Sequence, residues 1–392
     1  MRTLNTLTKI GSIILVCLGL AACGSKPVIG VLLAESGEAQ AYGQVMKTAM
    51  ELAIEQAKAD GTYPPELQIF WADSGSDPDQ AAEAYRSLVS KNGAKFIVAG
   101  VTSGEAKALL PVIEKTNVPC LSPSASLPSL TKDSKLFYRI FPSDELEGRR
   151  AGRFLREDQD LNTVLIFTQD SEQAQGIEPP FRHIFEQAME GKVVGRIVLT
   201  DPDWKKEAKD SCAAYNPESV YIVAYAEATL EVLRLLDSEG FDGVICATSA
   251  FYSGHVVEEN PDLVDRVFFP QPAFDTQDER PIVQDFVNAY KATSGHDPDI
   301  YAAHAFDAMR VALATVAKTD IFETSEIKKT LQFKLEEFPG VTGIIQFNDW
   351  GDVHRNPIMF IVKDGQVRNY ERYLAEEKKR IRERIRRLLT KG

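Results

Sequence analysis

The chain has 392 residues, with 44 Lys or Arg against 57 Asp or Glu, a formal net charge of -13 at pH 7. That surplus of acid argues against a nucleic-acid partner, because phosphate binding needs a basic face. The 44% apolar fraction suits packed cores rather than disorder, and the length allows two domains of ordinary size.

Arg2 and Lys9 flank the start of an apolar run over 10–20, and Leu20-Ala21-Ala22-Cys23 completes it. Basic, apolar and small-residue regions in this order form an export signal. Ending in cysteine, the pattern resembles a bacterial lipobox. It implies removal of a signal peptide, 1–22, lipid on Cys23 and a tether over 23–27. The run is shorter than the ~20 apolar residues of a spanning helix, and no later segment is apolar enough to span. The expected location is outside the cytoplasm, membrane-anchored and facing the periplasm or cell exterior, where ATP and NADH are not at hand.

Short apolar runs then alternate with helical patterns. Strands are expected over 28–33, 67–71, 95–99 and 118–121, with helices over 43–59, 78–91 and 105–116. Met46, Met50, Ala53 and Ala57 share one face of the first helix. Asp73, Gly75, Asp77 and Asp79 alternate like a calcium loop but lack its glycine and closing glutamate. A turn is the better reading, with Asp77 capping a helix that opens on Pro78 and Gln80 as capping-box partner. After a strand over 136–141 the rhythm restarts, with helices over 144–156, 179–190 and 227–239 and strands over 164–167, 193–199, 220–223 and 244–247. A proline-broken run at 267–272 precedes helices over 281–293, 301–318 and 325–332. Strands over 344–347 and 358–362 close the pattern, and Asp364-Gly365 marks a hairpin. The β-α-β-α rhythm predicts two open α/β units with parallel sheets. The tail, 374–392, reads as a basic amphipathic helix with Ile381, Ile385, Leu388 and Leu389 as its apolar stripe. It is either a solvated terminus or a contact for anionic lipid or a partner.

Cys120, Cys212 and Cys246 are widely separated, and an odd count leaves a thiol unpaired. The five histidines show no H-E-x-x-H spacing, so no metal and no cofactor are expected.

Several stretches in order resemble the type I periplasmic binding proteins, especially the leucine/isoleucine/valine-binding receptors of ABC transporters. These are Ile29-Gly30-Val31 running to Ser36-Gly37 and Tyr42-Gly43, then residues 73–89. Next come Gly100-Val101-Thr102-Ser103 with Ser122-Pro123-Ser124-Ala125-Ser126, and last Tyr290, Gly295, Pro298 and 301–308. The resemblance implies two Rossmann-like lobes joined by a three-crossing hinge. Lobe one is expected over 27–142 plus 271–341, and lobe two over 143–270 plus 342–373, with crossings near 141–143, 269–271 and 341–343.

Ligands in open α/β sheets sit beyond the carboxyl ends of strands. In lobe one, Thr102-Ser103-Gly104 opens a helix whose free N–H groups make an anion seat. Pro123 holds Ser122 extended, so Ser124 and Ser126 flank Ala125 with their hydroxyls toward the cleft. The resemblance places a ligand carboxylate on Ser103, Ser124 and Ser126. It makes Tyr42 and Tyr225 cleft-lining rings, and puts Gln173 where the receptors carry a tyrosine. It also puts Ser249 near their ammonium-neutralising acid. No acid stands there, so either Asp275 or Glu227 serves, or the ligand lacks an amine. The implied function is that of a non-enzymatic solute-binding lipoprotein, a monomer serving an ABC permease and carrying an amino acid or organic acid. The alternative is a ligand-sensing or envelope-enzyme-activating lipoprotein of the same fold.

Overall fold

A computed structural model describes residues 26–389 apart from Ser253 and His354; Cys23 and the export signal lie outside the described residues. The first sheet takes its strands in sequence: β1 (Val28–Leu33), β2 (Gln68–Asp73), β3 (Phe96–Val98), β4 (Cys120–Ser122) and β5 (Phe137–Arg139). Their order is β2-β1-β3-β4-β5, all parallel. The central strands are buried on both faces, which explains their unbroken Val, Ile and Leu runs. The connecting helices are α1 (Gln40–Ala59), α2 (Pro78–Ser90), α3 (Ser103–Thr116) and the short α4 (Ser129–Asp133). Asp77 caps α2 as its sequence predicts, accepting from the Gln80 N–H at 2.8 Å.

Beyond Phe141 the chain enters a second unit through α5 (Asp144–Arg153). It continues with β6 (Thr163–Thr168), α6 (Glu172–Arg182), β7 (Lys192–Val198), α7 (Trp204–Tyr215), β8 (Ser219–Val223), α8 (Ala226–Ser238), β9 (Val244–Ala247), α9 (Gly254–Glu259) and β10 (Val267–Gln271). It then returns to pack α10 (Pro281–Ser294), α11 (Ile300–Lys318) and α12 (Thr324–Lys329) on the first sheet, and folds a ribbon of β11 (Phe338–Gly340) and β12 (Gly343–Ile345). Finally β13 (Ile358–Lys363) and β14 (Gln366–Asn369) join the second sheet antiparallel, before α13 (Tyr370–Leu389). The second sheet runs β14-β13-β10-β9-β8-β6-β7. Asp364 and Gly365 both take positive φ, the geometry of the hairpin turn between β13 and β14.

Two expectations need correction. Residues 342–353 were assigned to lobe two, but Ile345, Phe347 and Val353 pack in the first lobe's core, and Asp352 bridges Arg139. The third crossing therefore lies between Val353 and Ile358. Helix α7 was not expected: only Trp204 and Ala208 of its residues are buried, too little apolar signal for a periodic reading. Among the described residues, Cys120, Cys212 and Cys246 are free thiols, and no helix is long and apolar enough to cross a membrane.

Charged side chains brace the third crossing against lobe one. Asp307 on α11 is fully buried and accepts from the N–H groups of Val341 and Thr342, each at 2.9 Å, and from the Thr342 hydroxyl. Arg355, on the third crossing, donates to the Ile140 carbonyl of the first at 3.0 Å and to the Thr342 carbonyl. Burial pulls its pKa down to about 10, with the Asp307 charge opposing.

Candidate ligand-binding cleft

A cleft of about 830 Å³ opens between the two sheets, lined from both lobes. Strand ends supply it, as the topology requires. From lobe one come Tyr42, near the start of α1 after β1, and Ser124 and Ser126 after β4. Phe141 and Tyr301 add rings from the first crossing and α11. From lobe two come Gln173 after β6, Tyr225 after β8 and Ser249 and Tyr252 after β9. Phe141 stacks on Tyr301 at 5.9 Å between centroids, and Tyr42 meets Tyr301 edge-on at 4.8 Å. Tyr42 and Tyr225 remain about half exposed, at 46% and 49%, so each leaves much of its ring for contact with a solute.

Of the residues chosen from sequence, Tyr42, Ser124, Ser126, Gln173, Tyr225, Ser249 and Asp275 all line this cleft. Thr102, Ser103, Gly104 and Ala125 do not, and the expected helix-end anion seat has a different occupant. Thr102 caps α3 by accepting from the Glu105 N–H, while the Glu105 carboxylate accepts the Thr102 N–H at 3.0 Å. Buried Glu105 also accepts from the Ser74 hydroxyl. The chain's own carboxylate thus sits at the positive end of this helix. The Ser103 oxygen accepts from the N–H groups of Ser126 and Leu127, both at 3.3 Å, so it shapes the second loop rather than facing the cleft. Ala125 is buried in the core.

Sequence reasoning missed two acids. Asp144 and Glu147 on α5 both line the cleft, and both are at least nine-tenths buried. Glu147 accepts from the Ser249 N–H at 2.7 Å and the Ser249 hydroxyl at 2.9 Å. A carboxylate from a different element therefore occupies the neighbourhood where the family resemblance looked for one. Burial, reinforced by the Asp144 charge, pushes the Glu147 carboxyl up to about 8 against those hydrogen bonds. Burial also lifts Asp144 to about 6, opposed by a Ser126 hydrogen bond and the Arg139 charge. The spacing held a signal: Asp144, Glu147, Gly148, Ala151 and Leu155 recur on one helical stripe, and acids on a stripe that turns inward are costly unless used.

The acids suggested earlier for an amine are placed otherwise. Asp275 forms a 3.0 Å ion pair with Arg372 at the foot of α13, although that oxygen makes no well-directed hydrogen bond. Glu227 is exposed on the first turn of α8 and does not line the cleft. Arg372, Tyr373 and Glu376 of α13 form part of the rim, so the helix that carries the expected tail, 374–392, begins at the cleft.

A family model described as periplasmic binding protein matches residues 27–366. The leucine-, isoleucine-, valine-, threonine- and alanine-binding protein of Pseudomonas aeruginosa is 24% identical over 321 residues, 81% of this chain and 84% of that one. The crystal structure of the branched-chain amino acid transporter substrate-binding protein LivJ from Streptococcus pneumoniae, in complex with isoleucine, superposes with a TM-score of 0.73. The two are 24% identical over 87% of this chain and 97% of that one. A solute-binding protein of an ABC transporter from Rhodopseudomonas palustris, in complex with 3,4-dihydroxybenzoic acid, gives 0.72 at 17% identity, covering 88% and 95%. The architecture is that of the type I binding proteins.

Proposed function

Because this chain belongs to the periplasmic binding protein family, we propose that it is the extracytoplasmic solute receptor of an ABC importer, anchored by lipid on Cys23. The solute is an amino acid or related small carboxylate. The observation that carries this reading is the cleft itself, lined by side chains from the lobes of two separate sheets that three chain crossings connect. Neither lobe holds a complete site. A solute touching Tyr42, Ser124 and Ser126 on one side and Gln173, Tyr225 and Ser249 on the other binds the closed arrangement better, and so shifts the lobes toward it. A permease of the cytoplasmic membrane then reads the closed state.

A thermal-shift screen of the purified protein against amino acids and organic acids tests this. A bound solute raises the melting temperature, since ligand at 100 times its Kd adds about 2.7 kcal/mol to the folded state. If no compound shifts the transition, solute capture is the wrong function. The exposed apolar face of α13, with Ile381, Ile385 and Leu388 each more than half exposed, favours a second reading as an envelope sensor or activator. Pull-down of an envelope enzyme by the intact protein, but not by a variant with those three positions changed to Ser, would support it.

A further inference from the structure

We propose that the outer half of α13 is a docking face for a bilayer of anionic lipid, with its apolar stripe at the acyl chains and its basic side chains on the headgroup phosphates. This goes beyond solute capture and does not depend on it.

The foot of this helix is fixed. Tyr370 meets Phe154 and Phe268 of lobe two edge-on, at 5.6 and 5.1 Å between centroids, and Arg372 pairs with Asp275. Its outer half is bare: from Lys378 to Leu388 every residue is exposed. A helix without tertiary cover is marginal in water. Ile381, Ile385 and Leu388 nevertheless share one side of it, each more than half exposed. The match to the periplasmic binding protein model ends at residue 366, before the helix begins. Solute capture therefore leaves the outer half without a use.

Charge names the occupant. The protein as a whole carries -13, yet residues 378–388 hold seven Lys or Arg against the single Glu383. At 3.6 residues per turn, Lys378 and Arg382 border the stripe on one side and Arg384 on the other, while Glu383 falls on the opposite face. Long basic side chains so placed lay their stems along apolar surface and carry their charge to the phosphates. That is the pattern of a helix lying in a membrane interface. A second copy fits worse, because pairing two such faces brings Lys378, Arg382 and Arg384 of both together. A protein partner must supply a wall of acids beside an apolar groove. An anionic bilayer offers phosphate and hydrocarbon at adjacent depths anywhere on its surface, and the lipid proposed on Cys23 would keep the chain within reach of one.

Vesicle co-sedimentation tests the assignment. The chain from residue 24 keeps both lobes whole and leaves out the export signal and the lipid, so neither contributes. Vesicles of phosphatidylcholine alone are compared with vesicles that also carry phosphatidylglycerol. The protein is expected to partition onto the anionic vesicles roughly 10-fold or more strongly than onto the neutral ones, and the preference to shrink as salt screens the headgroups. Lys378→Gln, Arg382→Gln and Arg384→Gln combined are expected to weaken partition onto the anionic vesicles roughly 100-fold, about fivefold for each charge. Ile381→Gln, Ile385→Gln and Leu388→Gln combined are expected to weaken it roughly 10-fold or more, through apolar area withdrawn from the acyl region. Deletion of 378–392 gives the same loss and serves if either variant does not fold. Equal partition onto both kinds of vesicle, no partition onto either, or undiminished partition of the charge variant overturns the docking face. Capture of an envelope enzyme by a chain that ignores the vesicles overturns it in favour of a protein partner. None of these results bears on solute capture, which the thermal-shift screen decides.

Discussion

Two buried carboxyls lower stability as pH rises toward neutrality, opposed below about pH 6.5 by His304, whose pKa burial pulls down to about 3. Glu147 and Asp144 are raised to about 8 and about 6 from ordinary values of 4.5 and 3.8. The folded state then holds protons that the unfolded chain has released across roughly pH 4–8, so unfolding gives up protons there and stability falls as pH rises. The other titratable groups that feel Glu147 are Tyr221, Tyr301 and Cys246, and burial pushes each of their pKa values up, so they keep their protons through the window. The melting temperature of the unliganded protein is expected to decline between pH 5 and 8, and Glu147→Gln to flatten the decline. A wild-type curve rising over that interval would contradict the placement of these acids.

At the scale of elements, α5 shows how much of the site was legible. Its start at Asp144 matches the expected helix over 144–156, and the structure adds Ser143 as its cap, accepting from the Glu145 N–H. Its role did not follow, because Asp144-Glu145-Leu146-Glu147 reads as an ordinary solvated face until the partner helix is known. That partner is α6, and the contact is close: a Cβ at Gly148 would lie 2.2 Å from the Ile177 carbonyl oxygen. Gly148→Ala must push the helices apart and is expected to cost about 1–3 kcal/mol, measured by urea denaturation, and to displace Glu147 from Ser249. Unchanged stability would show that the contact is not tight. The start of α6 was missed because Pro179 and Pro180 read as a helix opening, whereas they lie in its last turn. The serine loops misled differently. Thr102 and Ser103 are the right residue types for an anion seat, yet caps use the same types, and only the Glu105 contact shows which role they took. Buried parallel strands were the easiest elements to read, since their apolar runs need no knowledge of a partner.

The whole molecule is two lobes held by three crossings and one additional tie. Arg355 ties the third crossing to the first and to Thr342, and Asp307 holds Thr342 and Val341 in place within lobe one. Asp307→Ala would strand two buried N–H groups and is expected to cost about 2–4 kcal/mol, read by calorimetric unfolding; a loss below 1 kcal/mol would mean that water replaces the carboxylate. The additional tie lies across the cleft. Arg372, which follows the last strand of lobe two, holds Asp275 and Gln277 on the segment leading into lobe one. Arg372→Ala is expected to enlarge the radius of gyration of the unliganded protein in small-angle scattering, with the liganded value unchanged. Identical unliganded curves would show that the tie does not hold the lobes.

That tie has a mechanical consequence. From Arg372 to Leu389 the last helix extends about 25 Å at 1.5 Å per residue, with its foot on the ion pair and its outer end in solvent. It is a lever, and a load on Ile381 or Ile385 would exert torque on the latch beneath it. Grip at the far end and occupancy of the bay would then be thermodynamically linked, each altering the work needed for the other.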